Sequence, residues 1–539
     1  MSRPTETSVV IVGGSIVGLS SALFLAQRQV PFILLERHTG SAVHPRAIGY
    51  TARTVEILRT LGLDKELPVV PPGHGGRPRR VKAETLNGEW TNETQWTKTS
   101  GQRGGSKPAD APTGGPPDYS SITPVQGTAI AQDKLEPIIR NKALELGADL
   151  RLGSKMTDWS QDENGVSVTA TNSAGDTLFI RARYMIACDG ASSRVRKDLD
   201  ISTTGVGPMR TLHSILFCCP SIDHHVATGV HQWEIKNNAF EAFMVTYGDG
   251  RWALMMYDPK QNTLDEASQK VMIRKAIGDE AADIDLLAEG KWTLSGSVAS
   301  RFSSGRVFLA GDAAHALPPN RGGYGANTGI SDAHNLAWKL AAVLSGKSNA
   351  SLLDTYDQER RPIALVRHDQ IFARDDYKPH VAGSEWEKTH EPAAIIDDIS
   401  MELGQIYRSA SVIGSEDTSL PDAQTPAYWK GQPGTRAPHI KLTRNGEEIS
   451  SLDLFGGGWA VLSKAHSWED LTSGSPDMEL ILVGRDVFEV VDDSFRDAFG
   501  VSESGAVLVR PDGYIAARWH KAVSTEEYTR TLKQAAHLS

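Results

Sequence analysis

Cysteine is scarce in this chain. Its 539 residues include three cysteines, Cys188, Cys218 and Cys219. Neighbouring cysteines cannot form a disulfide without severe strain, and three cysteines provide neither a disulfide framework nor a zinc-binding pattern. We therefore expect three reduced, buried thiols, no metal site and a cytoplasmic protein. Because no cysteine follows Cys219, the long C-terminal part of the chain cannot carry out dithiol chemistry.

Excess positive charge and long apolar runs are also missing. Lysine and arginine number 56 against 66 aspartates and glutamates, which gives a net charge of −10. Nucleic-acid binding needs clustered positive charge, so this balance argues against it. The short basic stretch 77–80 is typical of a solvated loop. No run approaches the roughly 18 apolar residues of a membrane span, and no apolar leader precedes the first strand, so we expect neither a membrane span nor a signal peptide.

Glycine is abundant, with 50 residues, and the first informative glycines follow a buried strand. The β-branched run Val9–Val12 is typical of a strand covered on both faces. Gly13 allows a tight turn after this strand, and Gly18 lets the following helix pack close to the sheet. The amides at the helix start would then bind a pyrophosphate, because the helix dipole favours an anion there. These amides belong to Ser15, Ile16 and Val17.

The same strand–helix–strand unit ends at Glu36. An acid at this position accepts hydrogen bonds from ribose hydroxyls and repels a 2′-phosphate. We therefore do not expect the tightly bound nucleotide to be NADP. Ser15 stands where the usual G-x-G-x-x-G motif has its middle glycine, and its side chain slightly crowds the phosphate.

A second glycine segment lies far along the chain. An apolar strand leads into Gly311 and Asp312, and the Asp312 carboxylate can accept a hydrogen bond from a ribityl or ribose hydroxyl. After Pro318 and Pro319, small residues would let the backbone approach an isoalloxazine ring, with helix-start amides stabilising negative charge on reduced flavin. These small residues are Gly322, Gly323, Gly325, Ala326 and Asn327. Two such segments in one chain predict FAD, bound along its whole length.

A third motif, Cys188–Arg196, contains the Asp189-Gly190 pair. Together the three motifs resemble the fingerprints of the class A FAD-dependent aromatic hydroxylases, the family of para-hydroxybenzoate hydroxylase and phenol hydroxylase. The sequence is most similar to the polyketide-modifying branch, which includes aklavinone 11-hydroxylase. The resemblance implies an α/β fold with a Rossmann-like FAD-binding domain of the GR2 type, an inserted mixed or antiparallel substrate sheet, and a thioredoxin-like C-terminal domain. The expected divisions are an FAD-binding domain at 1–70, 125–200 and 300–375, a substrate domain at 71–124 and 201–299, a helical linker at 376–430 and the C-terminal domain at 431–539.

Individual residues match the family's functional positions. The resemblance implies that the carbonyl of Pro319 faces the reacting substrate, and we take Pro319 and Arg46 as catalytic candidates. Asp189 belongs to the motif tied to both FAD and NADPH, although a turn aspartate that caps a strand end is the alternative. His315 is expected to be structural rather than a base. The other implied FAD contacts are Glu36 and Arg37 at the adenosine end, Arg46 near the pyrophosphate, Gln132, and Asp312 at the ribityl chain.

The sequence gives no clear catalytic base. Ile48 stands where phenol hydroxylase has a pocket aspartate, so any proton acceptor must come from elsewhere. Tyr50 and Tyr247 are candidates, and Tyr247 is the one we retain, although both tyrosines also suit a core. Some of the large residues on the predicted middle strands must line the substrate cavity, and the sequence does not separate them from core residues. They are Phe217, Trp233, Phe243, Met244, Trp252, Met255 and Tyr257.

The resemblance implies a monooxygenase that uses FAD, NAD(P)H and O₂. NADPH is the favoured reductant, and a flavin C4a-hydroperoxide would hydroxylate a phenolic or polycyclic aromatic compound of secondary metabolism. Two alternatives stay open: Baeyer–Villiger oxidation or epoxidation on the same scaffold, and a non-catalytic flavin-fold binder of aromatic compounds. Homodimer formation also stays open.

Overall fold

The apolar run Val9–Val12 lies in an inner strand of a mainly parallel sheet, which we call the first sheet. The computed structural model of the chain describes residues 4–69, 79–93, 119–238, 241–257, 264–319, 323–375, 377–391, 393–473 and 478–538. The strands of the first sheet are β1 (Thr5–Val12), β2 (Phe32–Glu36), β7 (Asp149–Leu152), β8 (Lys155–Gln161), β9 (Val166–Thr171), β10 (Thr177–Ala187), β16 (Ser303–Ser304) and β17 (Val307–Leu309). Their order is β16-β17-β10-β1-β2-β7, with β9 paired to β10 and β8 paired to β9. A separate two-stranded ribbon pairs β3 (Gly49–Tyr50) with β6 (Thr128–Ala129).

Helices share one apolar core with this sheet. They include α1 (Ile16–Gln27), α2 (Ala52–Arg59), α3 (Gln132–Glu145), α4 (Arg194–Asp198), α6 (Tyr324–Leu344) and α7 (Asp354–Phe372). The sequence predicts that α6 begins at Gly329, but the helix begins at Tyr324. A side chain at Gly329 would place its Cβ 2.4 Å from Val17 Cγ2. This glycine therefore allows close packing of α6 on α1 rather than marking a loop.

The second sheet is antiparallel except for one parallel pair, β12 with β4. Its strands are β4 (Arg79–Ala83), β5 (Trp90–Glu93), β11 (Thr203–Cys218), β12 (Val230–Lys236), β13 (Glu241–Thr246), β14 (Arg251–Tyr257), β15 (Asp285–Ala299) and β18 (His315–Ala316). They follow the order β18-β15-β11-β14-β13-β12-β4-β5. One face packs on α5 (Glu266–Ile277) in a separate apolar core. This is the mixed sheet that the resemblance implies.

The prediction of a solvated basic loop at 77–80 is wrong for its last two residues. Arg79 and Arg80 lie in β4 and are partly buried. The Arg79 guanidinium donates to both oxygens of Glu93, at 2.7 and 2.9 Å, and Arg80 Nε donates to Gln232. Positions 77 and 78 lie outside the described residues.

The chain ends in a smaller α/β unit that follows a set of short helices. Those helices are α8 (Lys378–Val381), α9 (Glu385–Thr389), α10 (Asp398–Leu403) and α11 (Pro426–Trp429). The α/β unit comprises β19 (Lys441–Arg444), β20 (Glu447–Ser450), β21 (Trp459–Ser463), α12 (Trp468–Thr472), β22 (Met478–Leu482), β23 (Phe488–Glu489), α13 (Ser494–Phe499), β24 (Ala506–Val509), β25 (Ile515–Trp519) and α14 (Thr525–Ala536). Its main sheet has the order β22-β21-β24-β25. This mixed arrangement agrees with the implied thioredoxin-like fold, while the domain boundaries stay predictions.

The three cysteines are free, as predicted, but only Cys219 is fully buried. Cys188 and Cys218 are partly exposed, so the prediction of three buried thiols is wrong for them. Cys188 directly follows β10, and it is part of the wall of the cavity described below.

Candidate active site

Close contact between strand and helix shapes the turn after β1. Gly13 has a φ of +102°, a left-handed conformation that glycine adopts without strain. A Cβ at Gly18 would lie only 1.8 Å from the carbonyl oxygen of Gly13. The helix therefore starts directly against the turn, and the Ser15 side chain makes no capping hydrogen bond. The first amides of α1 are left for an anion, as a pyrophosphate site requires.

A buried polar group supports this turn from α3. Ser15 Oγ donates to Glu136 Oε1 at 2.9 Å, and Gln132 Nε2 donates to both Ser15 Oγ, at 2.8 Å, and Glu136 Oε1, at 2.7 Å. Gln132 is thus beside the glycine turn, next to the helix start. Sequence reasoning missed Glu136, and its position one helical turn after Gln132 was the available signal.

Glu36 holds the other side of the turn. Its carboxylate accepts from the amide of Gly14 at 2.6 Å and from the amide of His38 at 2.8 Å. A carboxylate has about four acceptor sites, so these two bonds leave capacity for a ribose hydroxyl. Arg37 is exposed and lies on the cavity wall.

The second glycine segment meets the first through Val17. A Cβ at Gly311 would lie 2.7 Å from Val17 Cγ2, and Gly329 packs on the same valine. Side chains at these two positions would force the segments apart. The contact explains how motifs distant in sequence come to border one site, with Asp312 immediately after Gly311 on the cavity wall.

Asp332, on α6, fixes the turn that carries Asp312. Its carboxylate accepts from the Gly311 amide at 3.2 Å, lies 2.6 Å from His315 Nε2, and accepts from Arg360 Nε at 2.8 Å. Burial alone would raise the Asp332 pKa, but the adjacent His315 and Arg360 lower it. His315 is fully buried against Asp332, which agrees with the structural role expected for it. Sequence reasoning missed Asp332 because its partners come from three separate elements.

Asn327 anchors the start of α6. Its Oδ1 accepts from the Thr51 amide at 3.0 Å and from Thr54 Oγ1 at 2.5 Å, and its Nδ2 donates to the Gly323 carbonyl at 2.8 Å. Asn327 is therefore a buried support rather than a wall residue. The wall itself includes Gly323, Gly325 and Ala326, while Gly322 lies outside the described residues.

The loop that carries Arg46 is attached to both sheets. Tyr247 Oη donates to the Pro45 carbonyl at 3.1 Å, and His44 Nε2 pairs with Ser214 Oγ on β11 at 2.7 Å. Arg46 itself is 75% exposed, and its guanidinium lies 3.8 Å from the Asp312 carboxylate. Such an exposed pair contributes at most about 1 kcal/mol, so Arg46 stays available to a ligand.

Two predicted site residues have structural partners. Asp189 Oδ2 accepts from the amides of Arg194 and Val195 and so caps the start of α4, rather than the strand end that the alternative proposed. Its Oδ1 is buried and has no hydrogen-bond partner within the part of the chain that the structure describes. Burial raises the pKa of Tyr247. A hydroxyl that stays protonated and donates to Pro45 is poorly suited to accept a proton.

A cavity of about 3480 Å³ joins these features. Most of the predicted cofactor residues and Tyr247 are in its wall, whereas Gly13, Glu36, Gly311 and Asn327 lie behind it. The predicted residues on the wall are Ser15, Ile16, Val17, Gly18, Arg37, Arg46, Gln132, Asp189, Asp312, Pro319, Gly323, Gly325 and Ala326. One cavity therefore brings together both glycine segments and the Asp189 motif.

The second sheet forms the opposite wall of this cavity. Side chains alternate between the faces of a strand, and on β13 and β14 Phe243 and Met255 face the cavity. Phe217 and Trp252 have no exposed surface and pack on the other face with α5. Trp233 and Met244 belong to that core as well, and the Tyr257 side chain lies outside the described part. The sequence predicted that some of these large residues line the cavity and others belong to the core, but it did not show which.

A buried carboxyl also borders the cavity. Arg367 Nη2 lies 3.3 Å from Glu402 Oε2, and Glu402 Oε1 has no hydrogen-bond partner among the described residues. Burial raises the pKa of Glu402, with the neighbouring Arg367 opposing the shift. Sequence reasoning missed Glu402, since no motif marks it and α10 is a short helix.

The glycine turns, the open helix starts and the orphaned Asp189 oxygen fit a dinucleotide that extends along the cavity wall. The fold and site thus define a flavoprotein. Within the described ranges, no helix is both long and apolar enough to span a bilayer. Nor do the described residues form a cluster of three or more His, Cys, Asp or Glu that could hold a metal ion.

Comparisons with known proteins identify the family. A model of the FAD binding domain matches residues 6–369, and a model of the aromatic-ring hydroxylase C-terminal region matches residues 430–537. The chain is 35% identical to 4-methyl-5-nitrocatechol 5-monooxygenase from a Burkholderia species, with 96% of each chain covered. It is 33% identical to tetracenomycin A2 monooxygenase-dioxygenase from Streptomyces glaucescens, covering 98% of this chain and 96% of the relative.

Solved structures show the same similarity. The structure of aklavinone-11 hydroxylase in a ternary complex with FAD and aklavinone superposes with a TM-score of 0.84 at 28% identity, covering 99% of this chain and 100% of the other. The chain belongs to the FAD-dependent aromatic-ring hydroxylases. It is an NAD(P)H-dependent flavoprotein monooxygenase, which confirms the family, the fold class and the cofactors that the sequence predicts.

Proposed function

We propose that this monooxygenase hydroxylates a phenolic or polycyclic aromatic compound of secondary metabolism, with NADPH as reductant and O₂ as oxygen source. The observation that carries the proposal is one large cavity, bounded by both glycine segments on one side and by apolar side chains of the second sheet on the other. Relatives named for nitrocatechol and for tetracenomycin support an aromatic substrate.

The residues that we propose to hold FAD follow the cavity wall. The α1 amides would bind the pyrophosphate, Glu36 and Arg37 the adenosine end, and Asp312 the ribityl chain. When bound, FAD accepts reducing equivalents from NAD(P)H and activates O₂. The remaining proposed contacts on the wall are Ser15, Ile16, Val17, Gly18, Arg46, Gln132, Asp189, Pro319, Gly323, Gly325 and Ala326. Gly13, Gly311 and Asn327 would support these contacts from behind the wall.

The protein's contribution is orientation, charge stabilisation and exclusion of water. The amides at the start of α6 would stabilise negative charge at that end of the cavity. Phe243 and Met255 on the sheet face would cover an aromatic ring and keep water from it. We propose that the Pro319 carbonyl accepts a hydrogen bond from a substrate hydroxyl. For Tyr247 the geometry favours positioning of the Pro45–Arg46 loop over proton transfer.

Turnover under labelled oxygen tests the proposal. FAD-loaded protein would be incubated with NADPH, ¹⁸O₂ and a panel of catechols, naphthols and hydroxyanthraquinones. We expect substrate-stimulated NADPH oxidation and one ¹⁸O atom in a new phenolic hydroxyl. No stimulation across the panel, or ¹⁸O absent from the product, would contradict it. A ring-expanded or epoxide product would instead identify the alternative oxygenation chemistry.

We also propose that the enzyme is cytoplasmic and forms a homodimer. Three free thiols suit a reducing compartment. Three exposed apolar residues that lie close together in the sequence of the C-terminal unit support association, because exposed apolar surface can mark an interface. They are Phe488, Val490 and Val491. Light scattering at micromolar concentration would give twice the chain mass of 58.4 kDa for a dimer.

A further inference from the structure

The protein places a phenol of its own inside the cavity. The hydroxyl of Tyr377 donates a hydrogen bond to the Pro319 carbonyl, and both residues are part of the cavity wall. Tyr377 follows α7 in the short connection to α8, and it is half-buried. The carbonyl that we propose as the acceptor for substrate is therefore already bonded to a hydroxyl of the chain.

Aromatic neighbours hold the Tyr377 ring in this position. The ring packs edge-to-face on Phe372, with centroids 5.9 Å apart and planes at 84°, and lies 5.6 Å from His380. The amide of Tyr377 donates to the Arg374 carbonyl at 3.1 Å. The side chain thus shows how a phenol can be accommodated here: an aromatic wall for the ring and a carbonyl for the hydroxyl.

We propose that Tyr377 is an internal competitor for substrate. It occupies the Pro319 carbonyl when the cavity holds no aromatic ligand, and it leaves when a hydroxylated aromatic binds. The inference rests on the proposed function for the class of ligand. An incoming phenol replaces the hydrogen bond from Tyr377 to the Pro319 carbonyl with an equal one of its own. A ligand without a hydroxyl forms no hydrogen bond with this carbonyl and binds beside Tyr377. Tyr377 therefore lowers the affinity for phenols.

Removing only the hydroxyl tests this exchange. Binding of 2-naphthol and of its methyl ether, 2-methoxynaphthalene, would be measured on FAD-loaded protein without NADPH, by perturbation of the flavin absorbance and by saturation-transfer NMR. In Tyr377→Phe a phenol no longer has to displace a hydrogen bond. We expect 2-naphthol to bind about threefold to tenfold more tightly, the range that the net contribution of one hydrogen bond allows. The methyl ether should bind with unchanged affinity.

A second variant and a control complete the test. Tyr377→Ala removes the whole side chain, and p-cresol, which reproduces that side chain, should then bind at least about tenfold more tightly than to the parent protein, while 4-methylanisole should not. Tyr428→Phe alters an exposed tyrosine and should change nothing. The proposal is wrong if the phenols bind no more tightly to either variant than to the parent protein. It is also wrong if a phenol and its methyl ether gain affinity equally. These measurements need no turnover, so they stand apart from the ¹⁸O experiment.

Discussion

At Gly18 the start of α1 and the turn after β1 leave no room for a side chain. The Cβ of an alanine would lie 1.8 Å from the Gly13 carbonyl, so strand and helix would have to separate. Crowding of this kind typically costs about 1–3 kcal/mol. Because the α1 amides are the proposed pyrophosphate site, the cost should fall on FAD binding as well as on folding.

We expect Gly18→Ala to weaken FAD binding by about tenfold to a hundredfold, measured by fluorescence titration of the apoprotein. Gly40→Ala is the matched control, since no atom lies within 4 Å of a Cβ built there. Thermal unfolding of each apoprotein separates loss of the site from loss of the fold. A Gly18→Ala protein with parental FAD affinity would show that the helix start does not hold the cofactor.

Tyr247 distinguishes positioning from proton transfer. Its hydroxyl donates to Pro45, and burial raises its pKa, so it is protonated at neutral pH. We expect Tyr247→Phe to leave the pH dependence of kcat unchanged and to raise the FAD dissociation constant about twofold to tenfold, because one hydrogen bond to the Arg46 loop is lost. If Tyr247→Phe instead abolished the rise or the fall of kcat with pH, Tyr247 would be the catalytic base.

At the scale of elements, the junction of α2 and α6 depends on one side chain. Asn327 links the start of α6 to Thr51 and Thr54, which belong to the first turn of α2 and its cap. Asn327→Leu would leave the partly buried Thr51 amide and the buried Thr54 hydroxyl without this acceptor. The buried hydroxyl alone costs about 1–3 kcal/mol. The glycines that precede α6 border the cavity, so movement here should reach the cofactor site.

We therefore expect Asn327→Leu to weaken FAD binding by at least about tenfold, measured by the same titration. Ser331→Ala, on the same helix, removes only a bond to the Asn327 carbonyl and is the matched control. If both variants bind FAD equally well, the junction is not needed for the site.

Local elements were the most predictable part of the fold. The strand Val9–Val12 and its glycines follow from residues close together in sequence, whereas Gln132 was indicated by the family resemblance. Asp332 and Glu136 were not predictable in the same way, because their roles depend on partners from other elements. The sequence also did not show which side chains of the second sheet face the cavity. Phe217 and Phe243 are equally apolar, and only the packing of α5 on one face of the sheet distinguishes the buried Phe217 from the cavity residue Phe243.

For the whole molecule, buried ion pairs join the C-terminal unit to the flavin-binding part. Arg436 donates to both oxygens of Glu56 on α2, at 2.9 and 2.7 Å, and both residues are almost completely buried. Arg510 likewise bonds both oxygens of Glu359 on α7, at 2.6 and 2.8 Å. Burial would raise the pKa of Glu56, but Arg436 and Arg53 outweigh it and lower the pKa to about 2. We therefore expect the C-terminal unit to unfold together with the flavin-binding part.

Glu56 is the shared partner of two cations, Arg53 and Arg436, so its charge matters more than either arginine. We expect Glu56→Gln to lower the thermal midpoint more than Arg436→Met does, because it leaves two buried guanidinium groups without a carboxylate. The loss should correspond to about 3–5 kcal/mol in the free energy of unfolding. Arg436→Met should cost less, since the Glu56–Arg53 pair remains. Added to Glu56→Gln, it should restore part of the loss by removing one unpaired cation.

The same carboxylate should make the molecule sensitive to acid. With a folded pKa of about 2 against an ordinary value of 4.5, the stabilisation by Glu56 is present above about pH 4.5 and is lost as the pH falls toward 2. The thermal midpoint of the parent protein should therefore fall more steeply between pH 5 and pH 3 than that of Glu56→Gln, as scanning calorimetry would measure. Parallel profiles for the two proteins, or a further loss when Arg436→Met is added to Glu56→Gln, would show that charge pairing does not hold this interface together.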